Sequence, residues 1–160
     1  MSNKVAVIGL GNSLRRDDGI GVNILESLLN DYKRAGIDYL NFGIASFDLV
    51  HRLGNYDVVL LIDGISSGLA AGELKIFSLD EASFVKEPGA VSSHELNLKD
   101  IFRLTADLGI KAKIYVAGIQ VHDAGFGESL SQPLKEKLQE LTRQIDQFIG
   151  TSLNPKQGRF

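Results

Sequence analysis

Residues Val58, Val59, Leu60, Leu61 and Ile62 form an unbroken apolar run, β-branched at three of its five positions. A strand with one wet face alternates apolar and polar side chains; a run with no polar position must be covered on both faces. Five residues are too few for a buried helix, and β-branching favours the pleated conformation. The run predicts a central strand between two layers of helices, ending at Asp63-Gly64.

The rest of the chain repeats that requirement. Val5 to Leu10 is a second apolar run, and Lys111 to Ile119 predicts a third buried strand. Between them, Ile20, Val22, Ile24, Leu25, Leu28 and Leu29 recur at helical spacing as far as Arg34, with Gly36 as a stop. A weaker strand over 37–42 and a short helix over 47–53 follow. Leu74 to Leu79 reads as a strand near an edge. Leu96 to Leu108 reads as a helix closed by Gly109. Pro133 sits in the first turn of a helix running from Ser131 to Phe148. Alternating strands and helices imply an α/β fold, a three-layer α/β/α sandwich with a mostly parallel central sheet. One domain is expected over 1–150 with a flexible tail over 151–160. In such sheets chemistry lies beyond the carboxyl ends of the strands, which nominates the loops 11–19, 63–72, 88–95 and 120–131.

The first loop opens Gly9-Leu10-Gly11-Asn12-Ser13-Leu14. Two glycines match a dinucleotide fingerprint, but Leu14 occupies the third glycine's place, and no acid closes the second strand at Asn41-Phe42-Gly43. Nucleotide binding is therefore disfavoured. The loop continues Arg15-Arg16-Asp17-Asp18-Gly19-Ile20-Gly21. The paired acids either cap the following helix and favour its positive end, or serve a site approached closely over the flanking glycines. Gly11 and Gly19 are expected to need backbone angles that a side chain resists. Arg15 and Arg16 read as solvated partners of the acids.

Asp63, at the end of an apolar strand, is either a turn cap or a site residue, since a buried carboxylate needs solvent, a partner or a metal. His94, between Ser93 and Glu95, lies either in a helix-capping segment or at a site where the neighbouring hydroxyls orient its imidazole. His51 reads as a surface residue and His122 as a reserve candidate. Asp18, Asp63 and His94 together would supply two carboxylates and one imidazole, a set suited to nickel, zinc, manganese or iron(II) with open coordination positions.

Composition removes several alternatives. The chain has no cysteine, so it holds no thiolate nucleophile, thiolate zinc site, iron–sulfur cluster or disulfide. Its net charge of −3 and pI near 5.6 give no broad basic footprint for nucleic acid. The apolar run after Lys4 is too short for a signal or membrane segment, so a cytoplasmic protein without a membrane is expected.

At the residues Gly9 to Gly21, with the strand ending at Asp63 and the segment Ser93-His94-Glu95-Leu96, the chain resembles the hydrogenase maturation proteases. These endopeptidases trim the C-terminus of the large subunit of nickel–iron hydrogenases. The resemblance implies that Asp18, Asp63 and His94 bind nickel, the same three residues nominated above, and that they carry the catalytic site. It implies that nickel, or another divalent metal in its place, is presented by the large-subunit precursor. It leaves open whether the metal or a carboxylate such as Asp17 or Asp18 activates water. Family members often carry an Asp-Gly-Gly-Thr-like stretch after the second strand, where this chain has Asn41-Phe42-Gly43-Ile44-Ala45-Ser46. That departure points to a different hydrogenase class or precursor, and keeps a non-catalytic nickel-sensing chaperone of the same fold as the alternative.

Overall fold

The computed structural model describes residues 3–80 and 97–153. Among them, five strands form one sheet in the order β2-β1-β3-β5-β4. The strands are β1 (Val5–Leu10), β2 (Ile37–Gly43), β3 (Val58–Ile65), β4 (Leu74–Ser78) and β5 (Lys113–Gln120). All pairings are parallel except that of β4 with β5, which is antiparallel and puts β4 at the edge, as expected. The helices are α1 (Ile20–Asp31), α2 (Phe47–Leu53), α3 (Leu98–Asp107) and α4 (Gln132–Phe148).

The central run behaves as its composition requires. β3 is bonded to β1 on one side and β5 on the other. Val59 and Leu61 face a core shared with Leu49, Leu53 and Ile101 from α2 and α3. Leu60 and Ile62 face the opposite core, with Ile24 and Leu28 of α1 and Leu134 and Ile145 of α4. Successive side chains of a strand alternate faces, so a strand covered by helices on both sides must be apolar at every position.

Several boundaries differ from expectation. β3 does not stop at Asp63: it continues to Ile65, with Asp63, Gly64 and Ile65 opposite Gly118, Ile119 and Gln120. The extended β5 supplies backbone partners for those residues, so a polar side chain does not end the strand. α1 closes at Asp31, where the Tyr32 amide bonds the Leu28 carbonyl at 2.8 Å, three residues before Arg34. α3 opens on a reciprocal capping box between Asn97 and Asp100. Thr151 to Leu153, expected as the start of the tail, continue the helical course in a π turn over Ile149–Leu153, with Leu153 buried in the α1–α4 core.

The topology creates the crevice. β1 lies between β2 and β3, and the helices following β1 and β2 cover opposite faces of the sheet. The connections therefore diverge at the carboxyl ends of β1 and β3, the place where open α/β sheets hold ligands.

Candidate metal centre

The chain leaving β1 folds back on itself. Gly11 has φ 131°, and its amide donates to the Gly43 carbonyl at 2.7 Å. A Cβ at Gly11 would lie 1.9 Å from the Asp18 carbonyl oxygen, so no side chain fits there. The expectation for Gly19 needs correction. Its φ is −84°, an ordinary angle, and what excludes a side chain is proximity, with a Cβ falling 2.9 Å from the Ser13 Cα.

A single 3-10 turn, Arg16–Gly19, then leads into α1, and neither this turn nor α1 has a side-chain cap. The capping reading of the paired acids is thus overturned. The two carboxylates diverge instead. Asp18 is half-buried, and its Oδ2 accepts the Asn12 amide at 2.9 Å. Asp17 is 0% exposed. Its Oδ2 accepts the amides of His122 at 2.9 Å and Asp123 at 2.8 Å and the Ser131 hydroxyl at 2.7 Å, and its Oδ1 accepts the Ser131 amide at 2.7 Å.

Burial acts to raise the Asp17 pKa. The hydrogen bonds from Asp123, Ser131 and His122 outweigh it and hold the carboxyl below its ordinary value. A depressed folded value means that this group's stabilisation is fully present above the ordinary aspartate pKa of about 3.9. It is lost as pH falls through the lower folded value. Acid unfolding of the wild type is expected to include this loss, and Asp17→Asn to be less stable at neutral pH but shallower in its acid dependence below about pH 4. Chemical denaturation at a series of pH values measures both slopes; parallel curves would contradict the assignment.

The arginines also depart from expectation. Arg16 pairs with Asp123 at 3.2 Å, and Arg15 donates through Nε to the Ala124 carbonyl at 3.0 Å. Backbone bonds from Arg16 to Gly127 and from Gly127 to Leu14, both 2.9 Å, complete the seam. The loop after β1 and the loop after β5 therefore form one wall. Nothing near residues 15–17 signals this, because the partners lie more than a hundred positions away.

Asp63 is 4% exposed and shares the β3 face of Leu61 and Ile65, the face covered by α2 and α3. The turn bearing Asp18 is packed on this end of β3. A Cβ at Gly21 would lie 2.1 Å from the Ile62 carbonyl oxygen, and one at Gly64 would lie 3.3 Å from the Asp17 carbonyl oxygen. Asp18, in the turn that follows β1, and Asp63, near the end of β3, thus lie beyond or at the carboxyl ends of two neighbouring strands. His94 lies outside the described residues; α3, the helix that follows it in sequence, covers the Asp63 face. Among the described residues, no three His, Cys, Asp or Glu side chains form a group that could hold a metal. His51 is exposed on α2, and His122 is exposed in the loop held by Asp17.

The stretch 41–46 adjoins the same loop. Asn41 Oδ1 accepts the Gly43 amide at 2.9 Å, Gly43 has φ 58°, and its carbonyl receives Gly11. Around the edge, Leu14, Ile44, Phe47 and Phe126 are 59%, 42%, 60% and 89% exposed. The Arg15 guanidinium lies 5.6 Å from the Phe126 ring centroid. Sequence reasoning missed two buried polar organisers, Ser131 and Gln120. Gln120 Oε1 receives the Ser67 amide at 2.9 Å and the Leu69 amide at 3.3 Å, shaping the loop after β3.

The sequence model of hydrogenase maturation proteases (HycI) matches residues 22–147. Its match begins within α1, so the Gly9–Gly21 motif is additional to it. A hydrogenase expression/formation protein of Azotobacter vinelandii (HoxM) is 28% identical over 148 residues, covering 91% of this chain and 72% of that protein. The crystal structure of a [NiFe] hydrogenase maturation protease from Thermococcus kodakarensis KOD1 is similar at 26% identity, with a TM-score of 0.71 and coverage of 93% and 94%. A hydrogenase maturating endopeptidase from E. coli shares the fold with a TM-score of 0.81 at 24% identity, covering 93% of each chain.

Proposed function

The chain belongs to the hydrogenase maturation protease family, and we propose that it removes the C-terminal extension of a nickel-loaded nickel–iron hydrogenase large-subunit precursor. The observation that carries this reading is the packing of the Asp18 turn against the Asp63 end of β3, at the crevice where the strand order diverges. In the proposed mechanism Asp18, Asp63 and His94 contact the precursor's nickel, which marks the substrate as loaded. The peptide beyond that metal lies across the edge rimmed by Leu14, Ile44, Phe47 and Phe126, whose exposed apolar surface suits a polypeptide.

Asp17 drops out as the group that activates water. It is wholly buried and already accepts four hydrogen bonds, leaving no approach for a water molecule. Asp18 is half-buried and is the carboxylate of the pair with solvent access, so it is the protein group proposed to polarise water if the metal does not. No helix among the described residues is long and apolar enough to cross a membrane.

Incubating the protein with nickel-loaded and nickel-free precursor, with intact-mass spectrometry before and after, tests the proposal. Loss of a C-terminal fragment from the loaded form alone is expected. A stable complex with unchanged precursor mass would support the chaperone instead, and cleavage of both forms alike would refute recognition through nickel.

A further inference from the structure

Asp17 and Asp18 are adjacent acids with opposite surroundings. The Asp17 carboxylate is bound to both ends of the 122–131 loop, through His122 and Asp123 at one end and Ser131 at the other. Its own amide donates to the Asp123 carbonyl at 3.0 Å, so backbone and side chain grip the same loop. A charge this deeply buried is tolerated only with directional partners, and those partners fix its orientation as an apolar side chain would not. In a 3-10 turn each residue is rotated by about 120° from the last. A side chain locked inward at position 17 therefore sets the direction of position 18, whose carboxylate receives the Asn12 amide.

We propose that Asp17 is a positioning residue: a buried anchor that fixes the rotation of the turn carrying Asp18 and joins to it the 122–131 wall of the crevice. The proposal rests on the reading of Asp18 as a nickel contact, and it assigns Asp17 no contact with substrate. A ligand displaced by about 1 Å loses on the order of a hundredfold in rate, so the anchor's effect on the reaction exceeds its effect on the fold.

The test compares wild type, Asp17→Asn and Leu141→Ala at a temperature where circular dichroism shows all three folded. Leu141 is a core residue of α4, about 15 Å along the helix from Ser131 at 1.5 Å per residue, and its truncation controls for general destabilisation. In Asp17→Asn, exchange of the Asn12 amide is expected to accelerate at least about tenfold, and kcat/KM on nickel-loaded precursor to fall about a hundredfold. Leu141→Ala should leave both at wild-type values. Should Asp17→Asn not fold, Ser131→Ala removes one donor and should shift both readouts in the same direction by less. Wild-type exchange and wild-type cleavage in the folded variant would overturn the proposal. Should wild type fail to cleave any loaded precursor, the protease reading fails, and Asn12 exchange alone decides the positioning claim.

Discussion

Asp63→Asn is expected to abolish cleavage of the loaded precursor while the protein remains folded. The side chain sits at 4% exposure on β3, and the variant keeps its shape, its place in the ladder and one neutral oxygen. What it loses is the negative charge that a divalent cation demands. Disturbing the partner of a metal ligand costs roughly 10–100-fold, and loss of the ligand's charge costs at least the upper end of that range. Removing a buried charge also relieves a desolvation cost, so the fold does not suffer equally. Cleavage followed by mass spectrometry, beside a thermal melt, reads the two effects separately. His94→Ala should match it, and Asp18→Glu should be milder, since it keeps the carboxylate and its charge. Wild-type turnover by Asp63→Asn would remove Asp63 from the centre.

Gly21→Ala is expected to destabilise the protein although it adds a good helix former inside a helix. Alanine is favoured over glycine within a helix by up to about 1 kcal/mol, which alone predicts a gain. The new Cβ, however, would lie 2.1 Å from the Ile62 carbonyl oxygen and 2.3 Å from that of Leu10. Both obstacles are backbone atoms of buried strands, so relief requires moving α1 away from the sheet. Overpacking costs typically about 1–3 kcal/mol, and rigid neighbours put this site at or above that ceiling. A net loss near 3 kcal/mol lowers the melting temperature by roughly 6–12 °C in a domain of this size. Calorimetry measures it directly, and an unchanged or raised midpoint would show that the helix can shift freely.

The sheet and its helices were legible because burial on two faces leaves a mark at every position. The runs at 5–10, 58–62 and 111–119 could lie only in the middle of a covered sheet. For the candidate site, the sequence offered nominations and the structure offered their surroundings. Asp18 and Asp63 could be nominated because acids beside glycines or after apolar strands are rare without a use. The fate of Asp17 could not be read, because its donors come from 105 to 114 positions away and leave no local pattern. The end of β3 was misread for a similar reason: a polar residue marks a strand's end only when no neighbouring strand continues beside it. Gly19 looked like an angle requirement and is a contact requirement, which a linear sequence does not distinguish.

The seam between the first loop and the last has a consequence for the order of synthesis. Residues 5–65 supply β1, β2, β3, α1 and α2, yet the donors that make burial of Asp17 tolerable are the last parts of the site to leave the ribosome. Until His122 through Ser131 arrive, a carboxylate pressed into the interior would lack all four of its hydrogen bonds, and it stays in water instead. The Asp18 turn then has no fixed rotation, and the α1 face awaiting α4 remains uncovered. A nascent fragment reaching β3 therefore holds both acidic residues without the anchored turn on which the proposed centre depends, and that part of the molecule is completed only when the loop after β5 has been made.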